Sequence, residues 1–152
     1  MGKLLAFLLA LIALSISEAM SAPTYDAEAV ARIHAGIVDC PGCNLAGADL
    51  TNTCVKAKNL RGANFDRANA VLMCMSFADF SDATFRGTDL SGANLAHARL
   101  DGADLSGAIM DITSIKGTDL SKTLGLTQKQ LDQACGDAET RAPASLKVHC
   151  CT

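Results

Sequence analysis

Gly92-Ala93-Asn94-Leu95-Ala96-His97-Ala98-Arg99-Leu100-Asp101-Gly102-Ala103-Asp104-Leu105-Ser106-Gly107 decides how this chain folds, because it returns to leucine every five residues. The same step runs unbroken from Leu45 to Leu120, and only Ala70 in that series is not large and apolar. Two places upstream, a second series from Cys43 to Thr118 is small throughout except at Lys58 and Met73. A helix wants apolar residues every three to four positions and a strand every two. A five-residue step satisfies neither. A short fixed repeat points instead to a solenoid, whose units bury their apolar side only by stacking on their neighbours. The large and the small residue of each unit point inward. The other three positions, such as Asp104, Ser106 and Gly107, face water.

Ala48-Asp49-Leu50, Ala63-Asn64-Phe65, Ala78-Asp79-Phe80, Ala93-Asn94-Leu95 and Ala103-Asp104-Leu105 carry the alternation in its fullest form. This pattern resembles the pentapeptide-repeat family, with its A-(D/N)-L-x-x motif, and it covers 80 of the 152 residues without a frameshift. The resemblance implies an all-β solenoid: a right-handed, four-sided β-helix with four pentads per coil. The sixteen pentads of residues 43–122 then make about four coils, roughly 20 Å tall at a strand spacing of about 4.8 Å.

Residues twenty apart then share a face in adjacent coils. Leu45, Phe65, Phe85 and Leu105 form one inner ladder, and Leu60, Phe80, Leu100 and Leu120 another. Met73 is large where Ala70, three residues earlier, is small. Together they read as a volume exchange inside one coil, which cores tolerate. Lys58 at an inward position requires its side chain to reach out at the edge of the first coil, or the coil to bulge.

The segments outside the repeat read differently. Residues 1–19 hold Lys3, an apolar run from Leu4 to Ile16 and the small-residue site Ser17-Glu18-Ala19, the pattern of a secretory signal peptide. The run is too short to span a membrane comfortably. Its removal takes away Lys3 and Glu18 and leaves the net charge at −3. The expected location is secreted, in a bacterial periplasm or outside the cell, with no membrane span left.

Residues 20–42 form an N-terminal helical cap. A helix is expected over 24–37, capped by Thr24 or Asp26, with Ala29, Val30, Ile33 and Ile37 at helical spacing and His34 on its surface. Residues 123–152 form the C-terminal cap and a tail. Thr127-Gln128-Lys129-Gln130 reads as a capping box, Gly136 as the stop, and Leu124, Leu126, Leu131 and Ala134 as the seal of the stack. Open ends would otherwise expose a pairing edge.

Seven cysteines are present, which in an exported chain points to cross-links. Cys54 and Cys74 stand twenty apart, each just before an inward residue, and are expected to bridge adjacent coils. Cys135 is expected to tie the tail through Cys150 or Cys151. Cys40-Pro41-Gly42-Cys43 has three readings: a structural cross-link, a thioredoxin-like redox pair, or half of a zinc site. No βαβ context favours the redox reading, and the only further zinc ligands, His149, Cys150 and Cys151, lie at the other end of the rod. No metal and no cofactor are expected. An odd count leaves one cysteine free or intermolecular, so a disulfide-linked or end-to-end dimer is open.

Val71, Leu72 and Phe77 are apolar where other units are polar or glycine, and Ile109 and Ile112 are expected on the Val71/Leu72 face two coils down. They are the candidate partner contacts, unless the terminal segments cover them. Repeat charge nearly balances, with nine aspartates against eight lysines and arginines.

No serine–histidine–acid set, phosphate-cradling loop or paired carboxylates appear, so no catalytic residues are assigned. The expected function is a non-catalytic, exported structural or protein-binding module with an unknown protein partner. The alternative is an envelope thiol–disulfide oxidoreductase using Cys40 and Cys43. A third reading comes from the resemblance: some pentapeptide-repeat proteins imitate DNA and bind DNA gyrase. Balanced charge speaks against that mimicry and against nucleic-acid binding.

Overall fold

The computed structural model describes residues 24–36 and 39–151. The expected signal peptide, Ile37 and Thr152 lie outside the described residues. Parallel backbone bridges join positions twenty apart throughout the repeats and define four ladders. Face 1 starts at Asn44↔Asn64, face 2 at Asp49↔Asn69, face 3 at Cys54↔Cys74 and face 4 at Asn59↔Asp79. Each bridge is a single residue pair, and the only regular elements among the described residues are two short helices. The reason is arithmetic: two of every five residues form a turn, so too few remain to build a strand of ordinary length.

Each turn closes with an amide donating back three residues, as from Ala48 to the Leu45 carbonyl at 3.1 Å. The second turn residue is left-handed in every pentad from Gly42 to Gly117, with φ between 56° and 73°. That is the requirement of the third position of a type II turn, which glycine meets at no steric cost. The Asp or Asn before the large residue accepts from the amide two places on, as Asp89 does from Ser91 at 2.9 Å. This is the turn-supporting role expected of it.

The inward series is buried as the period requires. Phe65, Phe80 and Phe85 are fully buried and form one aromatic cluster, with Phe65 and Phe85 stacked at 4.8 Å and Phe80 edge-on to both. Ala70 and Met73 are both fully buried, in keeping with the exchange of volume. Buried threonine hydroxyls donate to carbonyls of the preceding coil, as from Thr88 to Phe65 at 2.6 Å and from Thr118 to Leu95 at 2.8 Å, or of their own turn, as from Thr53 to Leu50 at 2.7 Å. Lys58 is half-buried, and its amide makes the ordinary turn bond to Val55 at 3.1 Å, so the coil does not bulge there.

The register outlasts the side-chain period. Cys40 already donates to Asn59 at 2.8 Å, and Leu124 still accepts from Leu105 at 2.9 Å. Backbone pairing needs no particular side chain, so it continues where the volume pattern has ended. This places Leu124 on the outward ladder of face 1, paired with Asp104 and 57% exposed. It does not seal the stack as expected; Leu131 and Ala134 are buried and Leu126 is partly buried against the core.

Helix α1 spans Ala27–His34, shorter than the expected 24–37, with Asp26 as its cap accepting from Ala29 at 3.0 Å. Ala29, Val30 and Ile33 are its buried side. The helix is fastened to the first coil by the Asp26 amide on Asn44 and by the His34 Nε2 hydrogen on the Asp49 carbonyl at 3.0 Å. His34 therefore satisfies a ladder edge and is more than a surface residue.

Helix α2 spans Gln128–Gln133 and has both halves of the capping box between Thr127 and Gln130. It ends before Gly136 because Ala134 is extended and Cys135 donates to Thr113 at 2.8 Å, rejoining face 3. Gln130 does two jobs. Its oxygen accepts from Thr127 and its nitrogen donates to the Leu105 and Ala108 carbonyls at 2.8 and 3.0 Å. The tail returns to face 4 at Arg141, paired with Asp119.

Candidate functional site

The cysteines fall at four places. Cys40 and Cys43 sit on either side of the first turn, on the large and small inward columns, both buried, with Cα atoms 5.5 Å apart. Cys54 and Cys74 face each other across adjacent coils, with Cα atoms 4.4 Å apart. Cys135 meets Cys151 rather than Cys150, with Cα atoms 5.1 Å apart. Cys150 is exposed and free. Among the described residues no group of three or more histidines, cysteines and carboxylates is arranged to hold a metal ion. His149 is used through its carbonyl, which accepts from Gly136 at 3.0 Å.

Spacing puts Val71, Leu72, Ile109 and Ile112 on one face and Phe77 on the next round; the structure keeps Leu72 with Ile112 and Phe77 one turn on, and separates Ile109 and Val71 from them. Ile109 bridges Asp89 on face 2 and lines the groove along α2 with Gln130 and Gln133. Val71 is half-buried in the turn after face 2. Leu72, Phe77 and Ile112 stand apart from these two. They occupy left-handed turn positions, at φ 57°, 61° and 57°, and are 57%, 55% and 77% exposed. Leu72 and Ile112 share the column that enters face 3, and Phe77 is in the column that leaves it. Coil spacing places Ile109 and Ile112 together on the Val71/Leu72 face, but Ile109 lies on the ladder of face 2 and Ile112 is the left-handed residue of the turn that follows it.

Four of the left-handed side chains, those of Arg67, Leu72, Asp82 and His97, lean onto the next coil, where a glycine receives them. Leu72 Cδ2 lies 2.7 Å from where a Cβ on Gly92 would stand. His97 covers Gly117 in the same way, and Asp82 covers Gly102. On the far edge of face 3 the rings of Phe77 and His97 stack at 4.9 Å, and Lys56 Nζ stands 5.8 Å from the Phe77 centroid. Stacks and cation–ring contacts of this kind are worth about 0.5–1.5 kcal/mol each. Sequence reading found the apolar residues but missed His97 and Gly117, whose pairing depends on the twenty-residue register.

Charge is distributed unevenly round the rod. Face 4 carries a column of alternating sign, Asp79, Arg99, Asp119 and Arg141. Arg61 pairs with Asp82 at 2.9 Å and Lys122 with Asp101 at 3.0 Å. On face 1, Asp104 is buried and bonded to Arg86 at 2.6 Å. Ser106, through its hydroxyl and amide, and then Arg86 hold the Asp104 carboxyl down to about 2. The ladder of face 3 holds no carboxylate, and Asp137 of the tail borders its last turn, where it accepts from Gly117.

Eight copies of the pentapeptide repeat match residues 40–72 and 74–111. A pentapeptide-repeat protein of the Arabidopsis thaliana thylakoid lumen is 31% identical over 64% of this chain and 77% of its own, with a TM-score of 0.29. One from the cyanobacterium Cyanothece 51142 is 22% identical over 68% of this chain and 90% of its own, with a TM-score of 0.36. The plasmid-mediated fluoroquinolone resistance protein QnrB1 is 16% identical over 71% of this chain and 78% of its own, with a TM-score of 0.43. No curated protein matches the chain. With eight repeat copies in register and the four ladders they build, the chain belongs to the pentapeptide-repeat family, whose fold is the right-handed quadrilateral β-helix.

Proposed function

We infer that this protein is an exported, non-catalytic binding module: about four coils closed by α1 at one end and α2 at the other, acting through contacts with another protein. The observation that carries this reading is the set Leu72, Phe77 and Ile112. A left-handed conformation costs a non-glycine residue about 1–2 kcal/mol, and exposure returns little of it through burial. Large apolar groups kept in costly exposed positions mark a functional surface. No described helix is long and apolar enough to cross a membrane.

The cysteine pairs act as staples in this reading. Cys40 and Cys43 are both 9% exposed and sit in a β-turn of the solenoid. The oxidoreductase alternative needs an accessible thiol with a lowered pKa. Balanced charge on the repeats speaks against DNA mimicry.

The test is intact mass of the protein isolated from its own host, with and without alkylation before reduction. A chain beginning near Met20 with one labelled thiol, Cys150, is expected. Ready labelling of Cys40 and Cys43 alone would sink the non-catalytic reading and make redox assays the next step.

A further inference from the structure

Face 3 differs from the other three sides of the rod in charge as well as in apolar content. Its outward surface runs from the Asn52–Leu72–Gly92–Ile112 column, across the ladder of Cys54, Cys74, Asn94 and Ser114, to the turns that end in Ala57, Phe77, His97 and Gly117. None of these positions is a carboxylate. All nine aspartates of the repeats lie on faces 1, 2 and 4 or their turns. The turns leaving face 3 carry Lys56 in the first coil and Lys116 in the fourth. At a ladder spacing of about 4.8 Å these two cations stand roughly 14 Å apart. Two acids border the fourth-coil end of the face and keep their charge: Asp111, which accepts from Gln133, and Asp137, which accepts from Gly117 at 2.9 Å and from the Thr140 hydroxyl at 2.9 Å.

We propose that face 3 is the docking surface of the module, and that it takes a protein segment presenting apolar side chains between carboxylates. This rests on the reading of the chain as a protein-binding module. Leu72 and Ile112 on one edge and Phe77 on the other supply the apolar anchors. The cross-coil Cys54 and Cys74 lie between Leu72 and Phe77. Lys56 and Lys116 supply the charge that selects acidic partners and excludes basic ones.

The surface is preorganised, which reduces the ordering cost of association. Leu72 is laid over Gly92, and Phe77 is held between Lys56 and His97. These groups lie along the face instead of projecting from it, and only two lysines are present, each worth about 1 kcal/mol on an anionic bilayer. Both features favour a protein over a membrane. A second copy fits poorly, because face 3 against face 3 about a two-fold axis sets the Lys56 and Lys116 edges against each other.

Site-specific photo-crosslinking in cells of the source organism tests this. Phe77 is replaced by p-benzoylphenylalanine, and in a parallel strain Arg99 on face 4 is replaced in the same way. The expected result is a position-77 adduct whose mapped partner peptide carries apolar residues flanked by carboxylates. Its yield falls at least tenfold in Lys56→Glu/Lys116→Glu and in Leu72→Asn/Ile112→Asn, the second pair keeping residues that suit the left-handed turn. A position-77 adduct to a basic or uncharged peptide, to lipid, to a second copy, or to residues 1–23 of the same chain overturns the proposal. Adducts only at position 99 overturn this face and leave the binding function standing. Adducts at neither position overturn both.

Discussion

Gly117→Ala tests whether the left-handed columns are locked together as described. The alanine pays about 1–2 kcal/mol for a left-handed backbone, at φ 64°. Ala57 already meets that condition in the same column, at φ 56°, so the fold tolerates it. The added Cβ also collides with Cε1 and Nδ1 of His97, whose other side is stacked on Phe77. The ring must leave its seat, which forfeits a further 0.5–1.5 kcal/mol or about that. The whole substitution should therefore cost about 2–3 kcal/mol. In a His97→Ala background only the backbone part remains. Urea unfolding of the four proteins of the cycle, followed by circular dichroism, gives the coupling from midpoints at constant slope. A coupling of about 1 kcal/mol is expected, above the usual additivity error of about 0.3–0.5. Equal costs of Gly117→Ala in both backgrounds would refute the seating of His97 over Gly117, and with it the preorganised edge of face 3.

Gln130→Leu should destabilise the protein by about 1–3 kcal/mol, because the Leu105 and Ala108 carbonyls lose their donor and the capping box is broken; hydrogen exchange should rise first at the last coil. Cys54→Ser/Cys74→Ser should lower stability by about 3 kcal/mol under oxidising conditions, the entropy of a twenty-residue loop, and leave reduced protein much less affected in the same denaturation assay. Asp104→Asn should cost about 2 kcal/mol at pH 7. The Asp104 carboxyl is depressed from 3.8 to about 2, so its contribution is present above the unfolded value and disappears as pH falls through the folded one. Variant and parent should therefore converge in thermal midpoint between about pH 4 and pH 2.

The five-residue step, its inward residues and the exchange between Ala70 and Met73 are all legible in the sequence, because each is set by side-chain volume within one or two pentads. So is the capping box at Thr127, a contact between residues three apart. The sequence also marks Leu72, Phe77 and Ile112 as exceptions to a polar rule. Other features depend on what lies one coil away. Leu124 turns outward because backbone pairing with Leu105 outlasts the apolar pattern. Ile109 parts from Ile112 because Ile109 is on the ladder of face 2 and Ile112 is the left-handed residue of the turn after it. Gln130 reaches two carbonyls more than twenty residues upstream, and Cys135 finds Cys151 rather than its neighbour. Beyond Leu124 the period is gone, so spacing no longer indicates which residues meet, and the packing of α2 and the tail against the last coil makes that choice. The acid-free ladder of face 3 belongs to the same class: the nine aspartates of the repeats leave one side clear only when four pentads close into a coil.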